Sequence, residues 1–395
     1  MIKRKKKNKE HNPFYDPTLK KRHVSAKRFK KFTLTSLIFS VAFLAFFLFD
    51  MIGKGIPAFN IAYVKVDVTF NEKTLEDTRF AVPTEYRNLV SRAALRDLPK
   101  LLEENPTYMN STQNIWILAS SQVDQYIKNH NHNLKDKDIA KVDELYAQGL
   151  IDKKFNAIFF ENGDSKIPEY AGIFSAVIGS ILTLIITMAV AFPIGVMTAI
   201  YLEEFAGDNK FTRFIEININ NLAAIPSILF GLLGLAIFIN LFGMPRSSPL
   251  VGGLTLALMT LPIIIVSSRA ALRAVPDSIR QAGYGLGLNK IQVTRDHVLP
   301  LAFPGIMTGS IIGLAQAMGE TAPLIIIGMI AFIPDAPSMV TQAATVMPAQ
   351  LFTWAGMPEG MYIEKTAAGI LVLLTILISL NAIAIFLRKK LEVKW

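Results

Sequence analysis

The sequence predicts an all-α membrane protein: six transmembrane helices, with a small α+β domain inserted after the first. Three observations carry this. The 395-residue chain is 51% hydrophobic and only 18% charged, and its mean hydropathy is +0.37. Its apolar residues gather into six long runs, and about 20 apolar residues in a helix cross a hydrocarbon core roughly 30 Å thick. Between the first and second runs lies a polar stretch too long for a plain connector.

The runs cover approximately residues 32–52, 171–202, 214–242, 249–268, 301–333 and 366–387. Before the first, residues 1–31 hold 13 Lys/Arg against Glu10 and Asp16, while the whole chain is only +10. The basic charge therefore sits beside a span. There it acts as a topology signal and a contact for anionic membrane lipid, so the reading includes lipid and no nucleic acid. Asp50 to Lys54 form no small-residue cleavage site, so the first run is a retained anchor. The chain has no cysteine, which excludes disulfides, thiolate metal sites and Cys nucleophiles.

Orientation follows from the flanks. The loop 269–297 carries Arg269, Arg273, Arg280, Lys290 and Arg295, and the C-terminal segment carries Arg388, Lys389, Lys390 and Lys394. The loop 334–364 has no Lys or Arg. Both termini then lie in the cytoplasm of a multi-pass bacterial inner-membrane protein. The expected organisation is a basic cytoplasmic tail (1–31), a first span (32–52), a periplasmic α+β domain (53–170) and a core of five spans (171–390) with a cytoplasmic loop at 270–300.

In the inserted domain, Ala62, Val64, Val66, Val68 and Phe70 alternate with polar residues, the pattern of a half-buried strand. A second strand is expected over Phe155–Phe160, and helices over Tyr86–Glu104 and Ile139–Gln148, the latter stopped by Gly149. His130 and His132, flanked by asparagines, lack carboxylate or thiol company and read as solvated loop residues rather than a metal site.

The loop between the fourth and fifth runs is the most informative segment. After Pro276, Asp277 or Ser278 can cap a short helix, Arg280–Leu286 is rich in small residues, and Gly287 can supply a left-handed stop. A second short helix over Lys290–Val298 is expected to end where Pro300 restarts the chain. Small residues allow close approach by a partner, although a surface helix joining two spans would look the same. The spacing of Gln281-Ala282-Gly283, Gly287, His297 and Leu299-Pro300 resembles the EAA loop of ABC importer permeases. Ala282, Gly287, Leu299 and Pro300 match that motif in residue type, while Gln281 replaces its acid, Gly283 an alanine and His297 an isoleucine. The resemblance implies the type I ABC importer permease architecture, with this loop docking into a separate ATPase through Gln281, Ala282, Gly283, Gly287, Leu299 and Pro300. No G-x-x-x-x-G-K-[ST] run occurs in the chain. The expectation is a transport subunit, not an enzyme, that binds no cofactor itself while ATP-Mg sits on the partner.

Three further stretches resemble one branch of that family, the phosphate transport permeases of the PstA type: Pro193–Phe205, Ile225–Gly234 and Gln316–Leu324. The branch implies ATP-driven import of inorganic phosphate. Its implied partners are a homologous PstC-like permease, two PstB-like ATPase subunits and a PstS-like periplasmic binding protein. The inserted domain is similar to the extra N-terminal domain of a subset of these permeases. Glu320 falls roughly 24 Å into the fifth run, counting about 1.5 Å per residue from Pro304. An acid there faces either a partner charge or a water-filled cavity. Glu320, Thr321, Gln316, Pro226 and Ser227 are candidates for the translocation path or gate, and Pro262 is a further kink. The apolar runs hold no Lys or Arg away from their ends, so neutral donors, helix N-termini or arginines of another subunit would have to meet the anion; the family often has arginine where this chain has Gln316 and Val266. The rival readings are a permease for another oxyanion, sulfate or molybdate, and a membrane receptor with a periplasmic sensor domain.

Overall fold

The computed structural model describes residues 18–330 and 332–391. Residues 1–17 of the basic tail and Lys394 lie outside them. The chain divides after Gly53 into two units. The first is most of one helix, α1 (Leu19–Gly55), which begins inside the basic segment. Its Phe39, Phe43 and Phe46 are exposed, a surface suited to lipid tails.

The second unit opens with the α+β domain. Strands β1 (Asn60–Phe70), β2 (Ser111–Leu118) and β3 (Ile151–Phe155) form an antiparallel sheet in the order β2-β1-β3. Val64, Val66, Val68 and Phe70 enter its core, as the alternation requires. Three local expectations are corrected. Strand β2 was not anticipated. The region 155–160 is not a strand: β3 ends at Phe155 and a helical turn, Ile158–Glu161, follows. Its phenylalanines serve an aromatic cluster instead, with Phe160 stacked on Phe59 and on Phe155 at 5.9 Å and edge-on to Phe159 at 5.1 Å. The expected helix over Tyr86–Glu104 is broken into α2 (Arg92–Arg96) and a second piece, Leu98–Glu104, entered through Pro99. Helix α3 (Asp136–Ala147) stops before Gly149 at φ +71°, the left-handed position that favours glycine.

Five helices among the described residues are long and apolar enough to cross a bilayer. Besides α1 these are α4 (Phe174–Phe205), α7 (Pro249–Arg273), α9 (Lys290–Gly319) and α11 (Gly360–Lys390). Between α4 and α7 the expected run 214–242 is two helices, α5 (Lys210–Leu222) and α6 (Ser227–Leu241), which meet at 104° and make a sixth span only if counted together. The break lies at Ile225-Pro226, because a residue before proline is pushed out of helical geometry. Helix α8 (Asp277–Gly285) lies between α7 and α9, and α10 (Ala322–Ile326) follows α9.

Helix α7 is packed on both α4 and α9. Small residues make this possible: a Cβ on Gly195 of α4 would come 2.7 Å from Ile264 Cγ2 of α7. Such close approach is how helices associate where lipid leaves no hydrophobic drive. The α+β domain is tied to the start of α11 by buried charge. Lys128 Nζ lies 2.7 Å from Asp124 and 3.1 Å from Glu364, and His130 Nδ1 is 2.7 Å from Glu364. Lys365 donates to the carbonyls of Ala171 at 2.6 Å and Glu169 at 3.2 Å.

Candidate functional site

The loop after α7 folds as a helical hairpin. Pro276 precedes α8 with extended geometry and no side chain caps the helix, so neither Asp277 nor Ser278 has the expected capping role. Asp277 instead accepts from Gln281 Nε2 at 2.8 Å, one turn on. Helix α8 closes as a Schellman motif: Gly287 N–H donates to Tyr284 at 2.9 Å and Leu288 N–H to Gly283 at 3.1 Å. Gly287 has φ +82°, as its stop role requires. Gly283 is buried against Val293, and a Cβ there would meet Val293 Cγ2 at 2.8 Å. Gln281, Ala282, Gly287 and Pro300 remain exposed.

The second arm differs from expectation. No separate helix ends at Pro300. The chain is helical from Lys290, where Asn289 and Gln292 form a reciprocal capping box, through to Gly319. Pro300 has no N–H to donate to the carbonyl four residues back. It is accommodated just after a wider π-helical turn at Val293–Val298.

A charge network not foreseen from sequence clamps this hairpin. Arg280 of α8 reaches Glu204, at the end of α4, through Nη2 at 2.6 Å and Nε at 3.3 Å. The same guanidinium donates to the carbonyls of Leu272 at 3.0 Å and Val275 at 2.8 Å. It thereby satisfies groups that the end of α7 leaves open. Glu204 is 6% exposed. Beside it Glu203 binds Arg273 at 2.7 Å and Arg269 at 3.3 Å, and Arg269 also pairs with Glu216 of α5. Bonding to Glu204 holds the Arg280 guanidinium above its ordinary pKa. The ends of α4 and α7, the middle of α5 and the first turn of α8 thus share one ionic cluster.

The other candidate residues lie elsewhere. Gln316 and Glu320 are near the far end of α9 from Leu299 and Pro300, about 24 and 30 Å from Pro300 by helix rise. Glu320 is not inside a continuous span. Helix α9 ends at Gly319, and Glu320 follows in extended geometry at φ −77°, ψ 120°. Thr321 leads into the short α10, with Pro323 in its first turn. Gln316 is exposed, and Glu320 and Thr321 are half-buried. Pro226 is exposed at the start of α6, and Ser227 opens that helix. The two breaks approach each other because Gly231 of α6 packs on α10: a Cβ there would meet Pro323 Cα at 2.7 Å. Pro262 is buried inside α7, and Val266 is exposed. Between α4, α9 and α11 lies an apolar groove of about 520 Å³, lined by residues such as Phe192, Phe303, Met307 and Leu377. None of the candidate path residues faces it.

Residues 191–393 match the model of a family described as binding-protein-dependent transport system inner membrane component. A domain of unknown function, DUF3333, matches residues 16–86 and 81–136. Among similar proteins is the phosphate transport system permease protein PstA of Mycobacterium leprae, 36% identical over 160 residues, which are 40% of this chain and 52% of that protein. The chain thus spans about half the length of that curated relative. The phosphate transport system permease protein PstA of Yersinia pestis is 31% identical over 245 residues, 61% of this chain and 81% of the relative. Among solved structures, an inward-facing MetNI methionine ABC transporter is 16% identical, with a TM-score of 0.45 over 56% of this chain and 98% of that one. The family match covers just over half of the chain and takes in α7, the α8 hairpin and the broken helices: this protein belongs to the binding-protein-dependent inner-membrane permeases of ABC importers.

Proposed function

We propose that this chain carries inorganic phosphate inward as one permease subunit of an ATP-driven complex, with a separate ATPase docking on α8. The observation that carries the reading is the hairpin itself. An exposed helix with a small-residue surface is held to the ends of α4 and α7 by the buried Arg280–Glu204 pair. Force applied at α8 is therefore passed to two spans. Helix α9 joins the same hairpin at one end to Glu320 at the other, a physical link between motor contact and gate. Phosphate as cargo is supported by the Yersinia pestis relative, similar over most of its length. In this reading a second permease, two ATPase subunits and a periplasmic binding protein complete the assembly, and the 54–170 domain lies outside.

Glu320, at the junction of α9 and α10, pairs with a basic residue of the partner permease and shapes the gate. An ionised carboxylate repels phosphate, so direct binding of the anion by this side chain is not its role. Vesicles carrying the full complex should take up radiolabelled phosphate on ATP addition, with sulfate and molybdate as competitors. Glu320→Gln is expected to slow phosphate uptake about tenfold, the effect of about 1.4 kcal/mol on the limiting barrier. Wild-type rates in that variant would remove Glu320 from the gate, and preferential uptake of sulfate or molybdate would change the cargo.

A further inference from the structure

The α+β domain contains a second concentration of positive charge that the transport reading does not use. Two adjoining cavities, of about 490 and 640 Å³, share Arg87, Asn88, Arg92 and Arg96 in their walls. The larger also takes in Lys135, Lys166 and the hydroxyl and amide side chains of Ser120, Ser121 and Asn133. Asp138 and Glu169 line it too, leaving an excess of cations. Burial pushes the Glu169 carboxyl above its usual range, which further weakens the negative contribution.

The arrangement crowds like charges with few acids to offset them. Arg92 and Arg96 lie four apart on α2, where like charges face each other and destabilise a helix. Neither makes an ion pair within 4.0 Å among the described residues; Arg87 donates to the Val82 carbonyl at 3.3 Å, lies against the Phe80 ring and is close enough to Asp77 for its charge to be felt, without forming an ion pair. The smaller cavity's wall also holds Asp77 and Arg79, and these show how the domain treats an arginine that has an acid: Arg79 closes on Asp77 at 2.6 Å and holds that carboxyl down to about 2, so the pair adds no net charge. Local chemistry also fixes the positions of the free arginines. Ser91 caps α2 through Ala93 N–H, while Leu95 and Ala93 are buried, so Arg92 and Arg96 are presented on the outer face.

Guanidinium forks bind tetrahedral oxyanions with two parallel hydrogen bonds each, and neighbouring hydroxyl and amide donors complete such a site. The concave shape suits a small, multiply charged ion better than a flat protein face. Lys166 to Glu169, in the wall of the larger cavity, lie a few residues before α4, which starts at Phe174, so an ion held here sits near where the domain enters the first helix of the core. We propose that Arg87, Arg92 and Arg96 form a binding site for a dissolved tetrahedral oxyanion, phosphate or sulfate, in the 54–170 domain. The site stands whether or not the transported cargo is phosphate.

The test is equilibrium dialysis of the purified full chain in phospholipid-free detergent, with radiolabelled inorganic phosphate and, separately, sulfate. Saturable binding is expected, weakened about tenfold or more in Arg92→Gln/Arg96→Gln by loss of two charge-assisted contacts. It should be unchanged in Lys100→Gln/Lys137→Gln, a matched charge loss outside both cavities. Thermal unfolding of each variant separates loss of the site from loss of the fold. Equal affinity in the arginine variant, or no saturable binding of either ion, would overturn the proposal. So would displacement of the ion by phosphatidylglycerol but not phosphatidylcholine in nanodiscs, which would make the site a lipid contact. Reduced uptake by the complex without any ion binding would point instead to an acidic protein partner and equally end it. Sulfate binding without phosphate binding would equally support this site, and the cargo is decided separately by the uptake competition.

Discussion

Arg280→Ala is expected to reduce ATP-driven uptake by more than about a hundredfold and to lower stability by about 3–5 kcal/mol, the usual cost of removing one partner of a buried ion pair. The side chains are only 15% and 4% exposed, so Glu204 would be left with an uncompensated charge away from water. Two carbonyls at the end of α7 would also lose their donor. The effect should not be symmetric. Glu204→Gln keeps an acceptor for the guanidinium and removes only the charge, so a smaller loss of about 1–2 kcal/mol is expected. Arg280→Lys preserves the charge but cannot offer the planar fork that reaches Glu204, Leu272 and Val275 together, and should behave more like alanine than like wild type. Thermal unfolding in detergent and uptake in vesicles, measured on all three variants, check this order. If Arg280→Ala melted and transported like wild type, the clamp would carry neither stability nor coupling.

Residues such as these mark the limit of what the sequence displayed. Arg280 and Glu204 are 76 positions apart, and nothing in either local stretch points to the other. The paired acids at 203 and 204, placed just beyond an apolar run, were the one available signal. Strand β1 was legible because it is central and buried on one face, so its alternation is clean. Edge strand β2 opens with Ser111, Thr112, Gln113 and Asn114, and only its last residues, Ile117 and Leu118, are buried. Phe155–Phe160 misled for the opposite reason: its apolar residues serve aromatic packing rather than a ladder. Membrane runs were visible by composition, but hydropathy measures length and not continuity. Pro226 and the Gly319-Glu320 junction split runs that otherwise read as whole. In the hairpin at 277–300 the stop at Gly287 was legible, because a left-handed helix end depends on glycine placement, which sequence records directly; the cap at Asp277 or Ser278 and the helix end at Pro300 were not, because Asp277 turns to Gln281 and a π-helical turn carries the helix past the proline.

Gly287 offers the other large expected effect, and its variants separate two causes. Gly287→Val should leave membrane insertion intact and abolish ATP-driven uptake. At φ +82° a left-handed backbone costs an L-residue roughly 1–2 kcal/mol, and more for a β-branched one. Nothing lies within 4 Å of where a Cβ would stand, so no clash within this chain contributes. If the only requirement is the helix stop, Gly287→Asn should retain most uptake, since asparagine tolerates the left-handed region, while alanine and valine should fail in that order of severity. If instead a partner backbone approaches this face, asparagine must fail as well, because any side chain fills the gap. Uptake and ATPase activity of the assembled complex distinguish these outcomes: uncoupled hydrolysis with no uptake would place the fault in the hairpin's shape, and loss of ATPase association would place it in docking. With Gln281 turned back onto Asp277 and no acid at that position, backbone fit is the feature left to carry the proposed dock, and full uptake by Gly287→Val would refute it.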